Sequence, residues 1–111
     1  MNVINLPSAG GDTFTITGKG AVIKNPEWRG PVSFRARANK SAAPVVTITI
    51  HGIHADSDKI SAKTTLGTLS VSGPADVDEF TAMAIPFAYL VAQCESISGA
   101  SASAIITMGA L

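Results

Sequence analysis

Apolar and polar residues alternate over much of this chain, at the two-residue spacing of a β-strand that is buried on one face. The apolar members of these runs are Phe14 and Ile16, then Phe34, Ala36 and Ala38, then Val46, Ile48 and Ile50, then Leu69 and Val71, and finally Ala102, Ala104, Ile106 and Met108. The runs are rich in Val, Ile, Thr and Phe, which suit a pleated, half-buried surface. We therefore predict an all-β fold whose core is formed by these residues.

Turn-forming residues separate the runs at the spacing of an antiparallel sandwich. They are Gly18-Lys19-Gly20, Gly30-Pro31, Ala43-Pro44, Gly52, Gly67, Gly73-Pro74 and Gly99. We predict one antiparallel two-sheet β-sandwich domain over residues 13–111, preceded by an N-terminal arm at residues 1–12 that contributes little to the core. The Ser98-Gly99 turn signal predicts that the last two strands, 89–97 and 102–108, form a hairpin.

Residues 73–84 allow two interpretations. A short helix near residues 75–84 is one, because acidic residues favour a helix N-terminus and Pro86 would end the helix within a few turns. A loop followed by a strand is the other, and we favour it because the rest of the chain follows a strand period.

Low charge is the main compositional feature. The 111 residues include eight Lys or Arg and eight Asp or Glu, so the net charge is zero and only 14% of residues are charged. Such a surface has no overall field that attracts nucleic acid or an anionic membrane, and little repulsion between copies. We therefore expect association with other protein. The single cysteine, Cys94, excludes an internal disulfide.

The charges are unevenly distributed along the chain. Residues 1–40 hold six basic and two acidic residues, and the remainder holds two basic and six acidic ones. If the fold separates the two halves, copies of the chain can meet head to tail, basic patch against acidic loop. If strands of both halves interleave, the charges mix, and we favour this outcome.

The chain shows no targeting or membrane segment by sequence. Its start, MNVINLPSAGGDT, has no basic region and no long apolar run. The longest apolar stretch, residues 82–92, is interrupted by Pro86 and is shorter than the ~20 residues of a membrane helix. We expect an intracellular, soluble product.

The densest group of potential metal ligands is His51, His54, Asp56 and Asp58. Imidazole and carboxylate groups bind zinc and other divalent ions. The spacing is loose, however, and a strand that ends at His51 sends alternate side chains to opposite faces. The third oxygen ligand, the glycine and the final glutamate of an EF-hand loop are missing. We predict a solvated turn here and no metal site.

Catalytic motifs are also absent from the sequence. The segment Gly99-Ala100-Ser101-Ala102-Ser103 lacks the second glycine of a hydrolase nucleophile elbow. Cys94 lies in an apolar strand pattern, where a free cysteine is usually a small buried hydrophobe. Gly18-Lys19-Gly20 lacks the length and the ending of a phosphate loop and reads as a hairpin turn. We predict a non-enzymatic protein without a cofactor.

A small basic face is the remaining candidate for nucleic-acid binding. Ser33, Arg35 and Arg37 share one face of a strand, and Trp28 with Arg29 lies just upstream. A base stacked on the tryptophan beside neutralised phosphates would suit single-stranded nucleic acid. The footprint is small and the whole chain is not basic, so we favour contacts of these arginines with solvent or neighbouring subunits.

Three stretches together resemble the small structural proteins of tailed bacteriophages. They are VVTITIHGIHADSD, TTLGTLSVSG and IPFAYLVAQCESISGASASAIITMGAL, and the resemblance covers roughly residues 32–111. It is a likeness of strand and turn order without a catalytic motif. The chain departs from that pattern at Ala88 and Val91, where arginine is common in the aromatic strand, and in the highly charged segment 76–79.

The resemblance implies a jelly-roll-like sandwich that acts as a virion structural protein. Its most specific implication is a capsid decoration or cement protein, made in the host cytoplasm, that binds the major capsid protein as a homo-oligomer, commonly a trimer. A neck or tail protein is an alternative from the same resemblance. A small single-stranded nucleic-acid-binding or carbohydrate-binding β module remains the alternative outside it, although aromatic residues make up only 5% of the chain.

Overall fold

Every regular element in the described part of the chain is a β-strand. The computed structural model describes residues 3–26, 30–38, 45–54, 64–72, 77–82, 87–99 and 102–110. The strands are β1 (Val3–Asn5), β2 (Thr13–Phe14), β3 (Gly18–Lys19), β4 (Ile23–Lys24), β5 (Val32–Ala38), β6 (Val45–Ile53), β7 (Thr64–Ser72), β8 (Val77–Ala82), β9 (Tyr89–Ser98) and β10 (Ala104–Ala110).

The strands form two antiparallel sheets that pack face to face. Sheet I has the order β1-β10-β5-β8, with β2 pairing β10 beside β1. Sheet II has the order β3-β9-β6-β7, with β4 pairing β9 beside β3. The chain thus fills eight strand positions and passes repeatedly from one sheet to the other, which is the arrangement of a jelly roll. The prediction of an all-β, two-sheet antiparallel sandwich is confirmed.

The last two strands do not form the expected hairpin. β9 pairs with β6 in sheet II, whereas β10 pairs with β5 and β1 in sheet I. The turn between them is real, because Gly99 has a φ of 114° and its carbonyl accepts a hydrogen bond from the Ala102 N–H at 3.2 Å. This turn carries the chain across the sandwich. The inner faces of β9 and β10 then oppose each other instead of pairing edge to edge.

The alternative of a short helix near residues 75–84 is wrong where the structure describes this segment. Val77–Ala82 is strand β8, which pairs with β5 from Val32↔Ala82 to Arg37↔Val77. The Phe80 ring stacks on Phe34, with centroids 5.0 Å apart and planes at 25°. This cross-strand contact outweighs the weak preference of acidic residues for a helix start. Residues 75, 76, 83 and 84 lie outside the described ranges.

The core follows the predicted two-residue alternation. Its buried residues are Leu6, Phe14, Val32, Phe34, Ala36, Ala38, Val46, Ile48, Ile50, Leu69, Val71, Leu90, Ala92, Cys94, Ala104, Ile106 and Met108. Ile16 was expected beside Phe14 but is 74% exposed, because β2 ends at Phe14. The register of β6 against β9 shifts after Thr47, and its register against β7 shifts after Ile50.

The N-terminal residues are paired within the sandwich. β1 and β2 line up along β10, and β3 and β4 line up along β9, so residues 3–24 cross from sheet I to sheet II. Leu6 is fully buried and its N–H donates to the Ile106 carbonyl at 2.9 Å. Leu6 thus belongs to the core, in a segment where little core was expected. Gly18-Lys19, expected in a hairpin turn, is strand β3.

Candidate interaction surface

The outer face of sheet I is a continuous surface of three cross-strand rows. The register places Val3, Gly109, Ser33 and Thr81 in the first row, Asn5, Thr107, Arg35 and Glu79 in the second, and Thr13, Ile105, Arg37 and Val77 in the third. These residues alternate along their strands with the buried residues of the inner face, so their side chains lie on the opposite side of the sheet.

Small, hydroxylated and aliphatic side chains make up most of this face. Two of its aliphatic side chains are exposed to solvent: Val3 is 56% exposed and Ile105 is 38% exposed. Burying them against a partner removes apolar area from water, at about 25 cal/mol per Å². Threonine, serine and glycine between them have little side-chain entropy to lose on contact.

A shallow groove of about 290 Å³ lies at one end of the face. It is lined by Val3, Ser33, Arg35, Glu79, Thr81, Thr107, Gly109 and Ala110. Gly109 and Ser33 are neighbours in the first row, and the depression lies where Gly109 has no side chain and Ser33 has a small one. The second row forms one of its walls.

An ion pair joins strands β5 and β8 on this face. Arg35 donates from Nη2 to Glu79 Oε2 at 2.9 Å and from Nε to the same oxygen at 3.1 Å. Both side chains are about half exposed, at 51% and 52%, so the pair contributes little to stability. The favoured expectation that charges of the two halves mix is met here, because basic β5 pairs with acidic β8.

The same ion pair weakens the nucleic-acid hypothesis. Ser33, Arg35 and Arg37 do share the outer face, as predicted, but Glu79 neutralises Arg35. Trp28 and Arg29 lie outside the described residues.

The two histidines of the candidate metal group lie in different surroundings. His51 is buried, and its Nδ1 lies 3.2 Å from the Thr65 hydroxyl. His54 is exposed, and its ring lies 5.3 Å from that of Phe87 at an angle of 50°. Asp56 and Asp58 lie outside the described residues. Among the residues that the structure describes, no three potential metal ligands come together.

Of the two nucleophile candidates, the structure fully describes Cys94 but only part of the segment 99–103. Cys94 is a free, buried cysteine whose Sγ donates to the Ser96 carbonyl at 3.5 Å. Burial raises the pKa of the Cys94 thiol, the hydrogen bond to Ser96 opposes this rise, and the Glu95 carboxylate adds to it. The thiol is thus less reactive than a free one, as its predicted role in the core requires. Ala100 and Ser101 lie outside the described ranges.

Two features of the surface differ in how far sequence reveals them. Ile105 lies between Ala104 and Ile106 in the alternation, so its outward position follows from the strand period. Val3 belongs to a strand of three residues, too short for a period to be recognised.

Across the described ranges, no helix is long and apolar enough to cross a membrane.

The chain is similar to solved structures but not to known sequence families. No family model matches it, and no curated protein matches it at a significant level. It superposes on a chain of the capsid of equine rhinitis A virus, a picornavirus, with a TM-score of 0.51 and 11% identity. The match covers 87% of this chain and 52% of that one.

A second solved structure shares the fold. It is a truncated AlyQ with CBM32 and alginate lyase domains, matched with a TM-score of 0.50 and 12% identity over 100% of this chain and 33% of that chain. The chain therefore spans about half and a third of the lengths of these two structures. At such identities the similarity establishes the fold alone, a β-sandwich of the kind that occurs in viral capsids.

Proposed function

We propose that this chain is a non-enzymatic structural protein of a virion, and specifically a capsid decoration or cement protein. It binds the major capsid protein and bridges neighbouring capsid subunits, as an oligomer for which we favour a trimer. The observation that carries the proposal is the outer face of sheet I, where Val3 and Ile105 are exposed among small residues. The fold that the chain shares with a picornavirus capsid chain supports it.

The physical demands on a cement protein suit this face. Such a protein must bind through many small contacts without a deep pocket, so close shape fit and low side-chain entropy matter more than charge. Repetition over a capsid then multiplies weak contacts into strong overall binding. A net charge of zero lets copies lie side by side without repulsion.

Co-sedimentation with purified capsids tests the proposal directly. The variant Ile105→Lys places a charge on β10 in the third row of the face, and Thr68→Lys places the same charge on an exposed position of β7 in sheet II. We expect wild type and Thr68→Lys to sediment with capsids and Ile105→Lys to bind at least about tenfold more weakly. Folded wild-type protein that never sediments with capsids would contradict the proposed function.

Location in the virion separates decoration from the neck or tail alternative. Electron microscopy of intact particles that carry a tagged copy is expected to show regular density over the capsid shell. Density confined to the neck or tail would leave the protein a virion component and overturn the decoration role.

Carbohydrate binding is the second candidate, favoured by the groove on sheet I and by the fold shared with a CBM32-containing enzyme. Among its described lining residues there is no aromatic ring on which a sugar would stack. A glycan array with the purified protein distinguishes the two functions. Specific binding that is lost in Arg35→Ala would favour the carbohydrate function.

A further inference from the structure

The side of the sandwich between β7 and β8 is where both sheets end. β8 is the last strand of sheet I and β7 the last strand of sheet II in the order of the described strands. An edge strand presents unpaired backbone groups that another strand can pair with. β7 is nine residues long, so it offers a long template for such pairing.

Asp78 is an acidic residue on the inner face of an edge strand. It lies opposite the buried Ala36 and two positions before Phe80, whose ring packs on Phe34 inside the sandwich. The alternation of β8 therefore directs Asp78 inward, where an apolar side chain is expected. Inward-pointing charges on edge strands are one of the devices by which natural sheets prevent edge-to-edge association.

The Asp78 carboxylate reaches across to the other sheet. Its Oδ2 accepts a hydrogen bond from the Ser70 N–H of β7 at 2.8 Å, and its Oδ1 accepts one from the Glu79 N–H at 2.9 Å. The Ser70 N–H points away from β6, so it is one of the groups that an added strand would need. A charged acceptor holds it more strongly than a neutral carbonyl would.

We propose that Asp78 blocks strand addition at β7, and that the strand it excludes is β7 of a second copy of this chain. Two copies of one edge are complementary when they run antiparallel about a two-fold axis. A second β7 would have to displace the carboxylate from Ser70 and leave it facing backbone carbonyls. The inference goes beyond the proposed function, because it keeps this edge out of whatever oligomer the protein forms.

Self-association of Asp78 variants tests the proposal. We compare wild type, Asp78→Ala and the control Asp12→Ala by sedimentation velocity over a wide concentration range; the control removes an exposed carboxylate next to β2, on the far side of sheet I from β8. Asp78→Ala is expected to associate at least tenfold more tightly than wild type, and Asp12→Ala to behave as wild type. Adding Ser70→Pro to Asp78→Ala removes the edge donor and is expected to restore wild-type behaviour, since proline is tolerated on edge strands.

Two association results would overturn the proposal. One is a folded Asp78→Ala with wild-type association, and the other is excess association that persists in the Ser70→Pro double variant. If Asp78→Ala does not fold, hydrogen exchange of the Ser70 amide in Asp78→Asn takes its place. That variant keeps an acceptor oxygen without the charge, so the Ser70 amide should exchange several-fold faster than in wild type. An unchanged rate at Ser70 would also overturn the proposal.

Discussion

Replacing Gly20 by alanine tests how tightly the N-terminal segment closes the sandwich. Gly20 lies between β3 and β4, at the point where the chain passes both β9 and the segment after β1. An added Cβ would collide with the Pro7 carbonyl oxygen, lie 2.7 Å from the Ala92 carbonyl oxygen and lie 2.9 Å from Phe14 Cζ. Two of these three neighbours are backbone atoms, which no side-chain rotation can move.

Hydrogen bonds fix both carbonyl groups in place. The Gly20 N–H donates to the Ala92 oxygen at 2.7 Å, and the Ala21 N–H donates to the Pro7 oxygen at 3.1 Å. Relieving the collision therefore means lengthening these bonds. Overpacking costs about 1–3 kcal/mol and each weakened hydrogen bond about 1 kcal/mol. We expect Gly20→Ala to lower the free energy of unfolding by about 4 kcal/mol, a fall in Tm of roughly 15 °C.

Urea denaturation followed by circular dichroism measures this loss. Gly11→Ala is the matched control, because a Cβ there meets nothing within 4 Å, and its effect should stay within about 0.5 kcal/mol. A Gly20→Ala protein within about 1 kcal/mol of wild type would refute the close approach of the two backbones. The reasoning would also fail if both alanine variants lost the same stability.

Three further predictions concern the core, the thiol and the ion pair. Ile48→Ala should lower the free energy of unfolding by about 2–5 kcal/mol because it leaves a cavity at a buried site. Ile105→Ala on the outer face should lower it by under about 1 kcal/mol. Equal losses of the two variants in urea titrations would contradict the assigned faces. Cys94 should react with a thiol reagent only on unfolding. Since burial raises the pKa of the folded Cys94 thiol, the thiol contributes stability that is fully present below the ordinary thiol pKa and is lost as the pH rises through the folded pKa. Cys94→Ala should remove this alkaline loss of stability, and the same pH dependence in the variant and in wild type would contradict the burial. Arg35→Ala should lower the free energy of unfolding by under about 1 kcal/mol, and by less in high salt, because the ion pair is half exposed. A larger loss of stability that does not depend on salt would show that Arg35 has a different role.

The sandwich and its inner faces were predictable from the sequence because alternation reports burial directly. Phe34, Ala36 and Ala38 are all buried, and so are Val46, Ile48 and Ile50, as the two-residue period predicts. Such a pattern depends only on which face of a strand meets the core. It holds whichever strands are neighbours.

Strand pairing was less predictable, because a turn signal does not state which sheet the chain enters next. Gly99 provides a sharp turn for either a hairpin or a crossing between sheets, and here it provides a crossing. Strands β1, β3 and β4 escaped recognition for another reason. With two or three residues each, they are too short to show a period.

Asp78 shows why the segment around it was ambiguous. An acidic residue where an apolar one belongs breaks the strand alternation of β8, and acidic residues also favour helix starts. Its partner, the Ser70 N–H, belongs to the backbone of the other sheet and leaves no trace in the sequence. A polar residue on an inner face is explained only once its partner is known.

The treatment of its edges connects this fold to the proposed assembly. On one side of the sandwich, residues 3–24 pair along β9 and β10, so the central strands of both sheets are covered. On the other side, the Asp78 carboxylate occupies the β7 edge. A protein that forms a defined oligomer on a shell must prevent unintended pairing of its edge strands, because a β7–β7 pair would join copies by a contact outside that oligomer. With only short strands on the first side and the Asp78 carboxylate at β7 on the second, we expect assembly to use the faces of the sheets. We therefore expect substitutions on the outer face of sheet I to weaken capsid binding, and substitutions at Asp78 to change self-association instead.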